Sequence, residues 1–362
     1  MSSKNETLIS SLPYPVVVGT ELENELAILV QQRDARRVVM LCDRRVQQHA
    51  CRFAVALPNK TVVLSFALGE KRKHLRTVET VLDALAEQGA DRDTLLIGVG
   101  GGVAGDLFGF AAATYMRGVP FINIATSVVA MVDAAIGGKT GVDLTAGKNL
   151  AGAFRDPVAV FAAIDTLETL PLAQLREGLG EVVKHAVIEG DEAFARLEEL
   201  ASLPLRAWPW QEIVAESMRI KAMIVNDDRL EAGQRELLNL GHTFAHGLEY
   251  ASDYRLSHGA AVAIGLRAAG LLALRCGRFS EEEHLRLLAL LALLQLPLFD
   301  EQVHVERVLE GMAADKKARA GTLRFVLPRA IGDVEYGVTA SARLVRGVIE
   351  QVTRPPSSRE LR

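Results

Sequence analysis

The chain of 362 residues has few aromatic residues (5%), only three cysteines and no uninterrupted apolar run long enough to span a bilayer. Cys42, Cys51 and Cys276 are scattered and odd in number, which argues against a disulfide framework and favours the reduced thiols of a cytoplasmic protein. The most apolar segment, Leu285–Phe299, is interrupted by polar residues and a proline, so it predicts a buried helix. The beginning, MSSKNETLISSLPYP, lacks the basic start and apolar run of a secretory signal.

A strong charge of either sign is also absent. The formal net charge is −4, which gives no general reason to expect a nucleic acid or an anionic membrane as partner. Any site for an anion must therefore be local. With 49% hydrophobic and 24% charged residues, the composition is that of an ordinary globular protein, and the length favours two domains over one core.

The first half of the chain alternates strand-like runs with helical stretches, which predicts an α/β domain with a largely parallel sheet. The predicted strands are Tyr14–Gly19, Arg37–Cys42, Thr61–Phe66, Thr94–Val99 and Pro120–Ile124. From Leu167 onward most of the pattern is helical, with one late pair of strand-like runs around PRAIGD. We predict an α/β domain at residues 1–165, a mainly α-helical domain at 166–352 and a disordered tail at 353–362, with the site in the cleft between domains.

Three of the eight histidines lie between Arg235 and Gly259. His242 and His246 are four residues apart, so on a helix both imidazoles lie on one face and could reach a common ion. His258 adds a third imidazole. The cluster indicates a divalent metal of the zinc type that needs one further ligand from elsewhere, whereas each histidine taken alone is more typical of a hydrogen-bonded, partly buried residue than of a ligand.

The segment EGLGEVVKHAVI offers that further ligand. Glu181 and Lys184 are three apart on a predicted helix, a spacing usually found in surface ion pairs. The apolar flanks of Glu181 are unlike a solvated charge run, and a bound metal would compensate a carboxylate in such a setting. Glu181 is therefore the preferred oxygen ligand.

A glycine-rich turn, GGGVAGD, follows the predicted strand TLLIGV. Gly100, Gly102 and Gly105 match the G-x-G-x-x-G spacing that lets backbone N–H groups approach a pyrophosphate at a helix N-terminus. No acidic residue ends the next strand, PFINIAT, but Asp43 ends an earlier one. This favours a dinucleotide site of non-standard layout over a tight turn without a ligand.

Two further segments are rich in polar residues. VDAAIGGKTGVDLTAGKNLAG intersperses cations with glycines, a composition suited to phosphate oxygens, although a solvated loop has the same composition. KAMIVNDDRLEAGQRELLN combines charges with apolar residues and predicts side chains in a polar cleft. The candidates from these segments, with a neighbouring arginine, are Arg117, Asp133, Lys139, Lys148, Asn149, Lys221, Asp228, Glu231, Arg235 and Asn239.

Taken together, these blocks resemble the 3-dehydroquinate synthase family within the sugar-phosphate cyclases. The resemblance covers about residues 68–335 through GEKRK, GGGVAGDLFGFAAATYMRG, VDAAIGGKTGVDLTAGKNLAGAF, LGEVVKH, LLNLGHTFAH, HG and DKK. It implies a Rossmann-like NAD-binding domain followed by a mainly helical metal-binding domain, the dehydroquinate synthase-like fold. It also implies a homodimer in which Arg117 reaches the site of the neighbouring subunit.

Carried over position by position, the resemblance implies metal ligands, Zn²⁺ or Co²⁺, at Glu181, His242 and His258. His246 would then face the substrate and not the ion. The implied NAD⁺ contacts are Asp43, Glu70, Lys73, Gly101, Gly102, Asp106, Thr126, Ser127, Lys139 and Lys148. The implied substrate contacts are Lys139, Asn149, Lys184, Lys221, Arg235, Asn239, His246 and one of Lys316 or Lys317. Asp133, Asp228 and Glu231 would orient these groups.

The family reaction is a step of the shikimate pathway that serves aromatic amino-acid biosynthesis. It converts 3-deoxy-D-arabino-heptulosonate 7-phosphate to 3-dehydroquinate by transient oxidation with NAD⁺, loss of phosphate, reduction by the same cofactor, ring opening and aldol closure. The alternatives are a cyclase for an amino analogue, a metal-dependent alcohol or glycerol dehydrogenase, and a non-catalytic homologue.

The chain departs from the usual family pattern at a few positions. Gly180 and Ala135 replace Ala and Ser, Ala125–Val129 differs from PTTLL, and Ala260 replaces a glutamate beside His258. We expect these changes to affect metal affinity and rate before they affect the type of reaction.

Overall fold

The computed structural model describes residues 6–8, 12–57, 61–145, 147–229, 231, 233–314 and 323–356. It divides the chain into two compact units. The first unit comprises residues 1–171 and 209–222, and the second comprises residues 172–208 and 223–362. The prediction placed a single boundary after residue 165. The structure differs because a later segment, Pro209–Ala222, groups with the first unit.

The first unit is built on a seven-stranded sheet. Its strands are β1 (Glu6–Leu8), β2 (Val16–Gly19), β3 (Val38–Asp43), β4 (Val62–Phe66), β5 (Leu95–Gly100), β6 (Phe121–Ala125) and β9 (Ala159–Ala163). They lie in the order β1-β2-β9-β6-β5-β3-β4, and all neighbours are parallel except β1 and β2. The predicted parallel α/β domain is confirmed.

Helices cover both faces of this sheet, which explains why its central strands are apolar on both sides. The helices are α1 (Glu23–Gln32), α2 (Gln47–Ala56), α3 (Leu75–Glu87) and α4 (Gly102–Thr114). Helices α1 and α2 pack on one face, where Leu26 and Phe53 are buried. Helices α3 and α4 pack on the other, where Val81 and Phe108 are buried.

The glycine-rich segment forms a hairpin and not the solvated loop that its composition left open as an alternative. Strands β7 (Lys139–Leu144) and β8 (Gly147–Phe154) are antiparallel, and Val142 of β7 is buried in the core with α3 and α4. The glycines explain the difference, because a Cβ at Gly152 would lie 2.2 Å from the Thr140 carbonyl oxygen. The segment is therefore a close-packed pair of strands rather than a solvated loop.

The second unit is mainly helical, as predicted. Its helices are α5 (Leu172–Glu189), α6 (Asp191–Leu200), α8 (His242–Ala251), α9 (His258–Arg275), α10 (Glu281–Leu293), α11 (Val305–Ala314) and α12 (Ala342–Val352). Helix α7 (Trp210–Asp227) ends in this unit, and β10 (Phe325–Ala330) pairs with β11 (Asp333–Val338). Helix α9 is buried on nearly every side and packs against α5, α8, α10 and α12.

The structure describes residues 353–356 of the predicted tail, and one of them contacts α9. Arg267, a buried residue of α9, donates hydrogen bonds to the carbonyl oxygens of Leu298 and Arg354, at 2.9 and 3.3 Å. The remainder of the tail, residues 357–362, lies outside the described residues. Within the part of the chain that the structure describes, no helix combines the length and apolarity that crossing a membrane requires.

Candidate functional site

Three helices of the second unit bring one carboxylate and two imidazoles together. Glu181 lies in the middle of α5, whereas His242 and His258 are the first residues of α8 and α9. Gly241 precedes His242 with a left-handed backbone (φ +78°), a conformation that glycine adopts at little cost. The chain therefore turns sharply into α8 and places its first side chain against the neighbouring helices.

Backbone contact between helices fixes the distance from Glu181 to His258. A Cβ at Gly259 would lie 1.8 Å from the carbonyl oxygen of Glu177, so only glycine allows α9 to begin this close to α5. A Cβ at Gly180 would lie 2.6 Å from the Gly259 carbonyl oxygen. The alanine usual in the family at position 180 would therefore need a shift of the backbone beside Glu181.

The resulting cluster has the geometry of a metal centre. Glu181 Oε1 lies 3.0 Å from His258 Nε2 and 3.3 Å from His242 Nε2. One potential ligand atom from each residue lies within 4.8 Å of the others. Two imidazoles and a carboxylate suit a divalent transition metal such as zinc, and three protein ligands leave a coordination position for another molecule. The structure thus assembles the set that the resemblance implied.

His246 lies beside this cluster but does not belong to it. Its ring is 5.6 Å from that of His242 and nearly perpendicular to it. Among the described residues, the groups of potential ligands that contain His242 do not include His246. The spacing of four residues therefore places His242 and His246 on one face, but the partner that converges with His242 is His258, whose ring centre is 5.4 Å away.

Lys184 forms a buried ion pair with the second oxygen of Glu181. The spacing of three residues is typical of a surface pair, but here both side chains are at most 1% exposed. Burial alone would raise the pKa of Glu181, but the charge of Lys184 and the contacts with both histidines hold that pKa well below its usual value. Glu181 is therefore an anionic carboxylate in the interior.

The two histidines of the cluster differ in the pKa that their surroundings impose. Burial lowers the pKa of His242 to about 4. Burial also opposes the charged form of His258, but hydrogen bonding to Glu181 and Glu249 outweighs it and raises its pKa to about 10. His242 is thus a neutral imidazole at neutral pH, the form in which histidine binds a metal.

A short helical turn, Gln234–Asn239, organises the polar groups that precede α8. Asp228 Oδ2 accepts hydrogen bonds from the backbone N–H groups of Gly233 and Arg235, at 2.7 and 3.1 Å. The Asn239 amide donates to Glu231 Oε1 at 3.2 Å. The two acidic residues therefore hold Arg235 and Asn239, which agrees with the orienting role that the resemblance implied.

The first unit places Asp43, Gly101 and Thr126, three of the residues implied for NAD⁺, at the carboxyl ends of its central strands. Neighbouring strands β3 and β5 end at Asp43 and Gly100, and the chain leaves them toward opposite edges of the sheet. This reversal of strand order is where open α/β sheets bind ligands. Gly101 precedes α4, and the Thr126 N–H donates to the Gly100 carbonyl at 3.0 Å.

The Asp43 carboxylate is engaged within its own loop. It accepts a hydrogen bond from the Arg45 backbone N–H at 2.9 Å and pairs with the Arg45 guanidinium at 2.5 Å. The Asp43 side chain is 6% exposed, whereas that of Arg45 is 64% exposed. The acidic group at the end of β3 is therefore held by its own loop, and its partner lies largely in solvent.

A polar network joins the hairpin to the segment before α3. Lys73 Nζ lies 2.6 Å from both Asp106 Oδ2 and Asn149 Oδ1. Asp143 accepts from the Asn149 backbone N–H at 2.8 Å, and its own N–H donates to the Lys73 carbonyl at 2.8 Å. Lys148 pairs with Glu70 at 2.9 Å. The sequence analysis did not name Asp143 as a candidate. Its position between Lys139 and Lys148 in GKTGVDLTAGKN could have indicated it.

The remaining predicted residues divide into four groups. Lys221 Nζ lies 2.6 Å from Asp133 Oδ1, and both belong to the first unit. Lys139 borders a small cavity together with Arg155. Arg117 lies in a turn with positive φ (+68°), an uncommon conformation for a non-glycine residue. Lys316 and Lys317 lie outside the described residues.

Comparison with known proteins agrees with this arrangement. The family models for the 3-dehydroquinate synthase N-terminal and C-terminal domains match residues 63–177 and 178–318. The chain is 42% identical to a 3-dehydroquinate synthase of Gloeobacter violaceus, covering 80% of this chain and 81% of the relative. It is 41% identical to one of Xanthomonas oryzae pv. oryzae, covering 92% and 94%.

A solved structure extends the comparison to the fold. The 2-epi-5-epi-valiolone synthase of Streptomyces hygroscopicus subsp. jinggangensis, solved with NAD⁺ and Zn²⁺ bound, is 28% identical and has a TM-score of 0.86. The match covers 96% of this chain and 98% of that one. With both family models matching in sequence and curated relatives above 40% identity, the chain belongs to the 3-dehydroquinate synthase family.

Proposed function

We propose that the protein converts 3-deoxy-D-arabino-heptulosonate 7-phosphate to 3-dehydroquinate and phosphate, as a lyase that uses NAD⁺ and one divalent metal ion. The observation that carries this proposal is the convergence of Glu181, His242 and His258 in a chain of this family. The family supports the substrate, and the cluster supports the requirement for metal.

The residues present fit both cofactors. Glu181, His242 and His258 would hold the metal, because their donor atoms converge and the carboxylate is anionic. When bound, a divalent metal lowers the pKa of a coordinated hydroxyl group. Asp43, the turn at Gly100–Gly102 and Thr126 would hold NAD⁺, which when bound would supply a reversible hydride acceptor for the substrate alcohol.

Cations of the second unit would bind the anionic groups of the substrate. Lys184 is held by Glu181 in the interior, so its ammonium is positioned before any ligand arrives. The Arg235 backbone is held by Asp228, and its guanidinium donates to the Arg229 carbonyl at 2.6 Å. Such fixed donors stabilise developing negative charge because they need little reorganisation.

We propose that His246 contacts the substrate and carries a proton. It follows His242 by one helical turn, and their rings are in edge contact. An imidazole at this place can donate or accept a proton at a substrate oxygen near the metal group. We also propose that the protein works as a homodimer, in which Arg117 serves the neighbouring subunit.

Phosphate release from the heptulosonate phosphate tests the proposal. We expect phosphate to appear together with 3-dehydroquinate, without net accumulation of reduced nicotinamide, and the reaction to stop when a chelator removes the metal. Accumulation of reduced nicotinamide would indicate a dehydrogenase. Binding of NAD⁺ and zinc without phosphate release would indicate either a non-catalytic homologue or a cyclase for another substrate, and an amino analogue would separate these two.

A further inference from the structure

His258 lies between two buried carboxylates. Its Nε2 is 3.0 Å from Glu181 Oε1, and its Nδ1 is 3.5 Å from Glu249 Oε1. Glu249 lies near the end of α8 and is only 2% exposed. A carboxylate is costly to bury without charged or hydrogen-bonding partners, so the contact with His258 is expected to matter for the position of Glu249 or of His258.

The other imidazole of the cluster has a comparable arrangement. His242 Nε2 is 3.3 Å from Glu181 Oε1, and its Nδ1 lies 3.2 Å from the Leu240 carbonyl oxygen. Both rings therefore turn Nε2 toward Glu181 and Nδ1 toward an outer oxygen. An outer oxygen at Nδ1 fixes the orientation of the ring and keeps a hydrogen on Nδ1, so that Nε2 is the nitrogen that a metal binds when it displaces any proton there.

We propose that Glu249 is a positioning residue that orients His258 for metal binding. The inference rests on the proposed metal site and extends it to a residue outside the ligand set. The two outer oxygens differ in kind. Leu240 offers a backbone carbonyl that no substitution removes, whereas Glu249 offers a side chain. Of the two imidazoles, only His258 therefore has an outer partner that a substitution can remove.

The geometry of α8 and α9 explains how Glu249 reaches this place. His242 and Glu249 are seven residues apart on α8, which is close to two helical turns and puts both on one face. Helix α9 packs along α8 and begins at His258. One face of α8 therefore supplies an inner imidazole near its beginning and an outer carboxylate near its end.

The proposal is tested by zinc affinity in the absence of substrate, measured by competition with a chromogenic chelator. Glu249→Gln keeps the volume of the side chain and should weaken zinc binding about tenfold, whereas Glu249→Ala should weaken it up to about a hundredfold. The visible spectrum of bound Co²⁺ should also change in both variants because the geometry at His258 changes. Unaltered zinc affinity and Co²⁺ spectrum in Glu249→Ala would overturn the proposal.

A double-mutant cycle separates positioning from a general effect on folding. If Glu249 acts through His258, replacing Glu249 in a His258→Ala background should not weaken the residual zinc binding further. Additive losses would overturn the proposal. If residual binding is too weak to measure, His258→Gln takes the place of His258→Ala. Because these measurements use no substrate, they remain informative even if phosphate release is never observed.

Discussion

The two units hold their polar groups in different ways. In the second unit, Glu181, Lys184 and His242 lie in the interior, and contacts between helix backbones set their positions. In the first unit, the residues proposed for NAD⁺ follow the ends of strands, and the turn at Gly100–Gly102 offers backbone groups. The comparison indicates that side-chain donors form the cluster of the second unit, whereas the candidate site of the first unit combines side chains such as Asp43 with the main chain of a glycine turn.

The largest expected effect comes from removing an inner ligand. In Glu181→Ala or His242→Ala we expect phosphate release to be lost and zinc affinity to fall by more than about a hundredfold, beyond the effect of losing an outer partner. Metal content after dialysis and phosphate release measure the two losses. His304→Ala removes an exposed histidine of the same unit and serves as the control. Full metal content in His242→Ala would contradict the assignment.

The next effect separates metal binding from catalysis. His246→Ala should keep its zinc, because His246 lies beside the cluster without belonging to it, but should lower kcat by roughly a hundredfold through the loss of a proton carrier. Metal analysis and steady-state kinetics on the same preparation measure the zinc content and kcat. Loss of metal in His246→Ala, combined with full retention in His258→Ala, would reverse the roles of the two histidines.

Substitutions in the first unit should change the affinity for NAD⁺ and leave the metal content unchanged. Asp43→Asn removes a charged hydrogen-bond acceptor and should weaken NAD⁺ binding by roughly tenfold or more. Arg45→Ala instead frees the same carboxylate from its ion pair, so NAD⁺ should bind equally well or more tightly. Calorimetric titration of both variants measures the contrast. Equal weakening in both would mean that the loop, and not the carboxylate, determines affinity.

The smallest effect is expected at a surface ion pair of the second unit. Arg346 and Glu306 pair across two helices, and their side chains are 43% and 68% exposed. Because solvent screens such pairs, Arg346→Ala should leave the midpoint of denaturant unfolding unchanged within error. A clear loss of stability in Arg346→Ala would show that solvent exposure does not predict how much an ion pair stabilises this protein.

Much of the fold could be predicted from local patterns. The five strands predicted in the first half all occur, with ends shifted by at most two residues, because runs of β-branched residues between helices specify parallel strands well. Strands β1 and β9 and the β7–β8 hairpin were missed. Alanine and glycine carry weak strand preference, and these strands form because small residues allow close backbone contact, which periodicity does not encode.

The candidate site shows a similar limit. The spacing of His242 and His246 indicated a shared face correctly, and His258 was recognised as a third imidazole, but spacing favoured His246 as the partner of His242. The family resemblance implied His258 instead, which α9 brings to the cluster from a different helix. Neither approach identified Glu249. The substitution at Ala260 suggested that His258 lacks a neighbouring carboxylate, whereas the structure provides one from α8.

Gly259 has no functional group, yet a methyl group there would collide with the main chain of α5. In a comprehensive substitution screen we therefore expect position 259 to be as intolerant as the ligands, while many charged surface positions accept change freely. Intolerance there would report on the clearance between two helices, and redesign of this enzyme for another substrate should leave that clearance untouched.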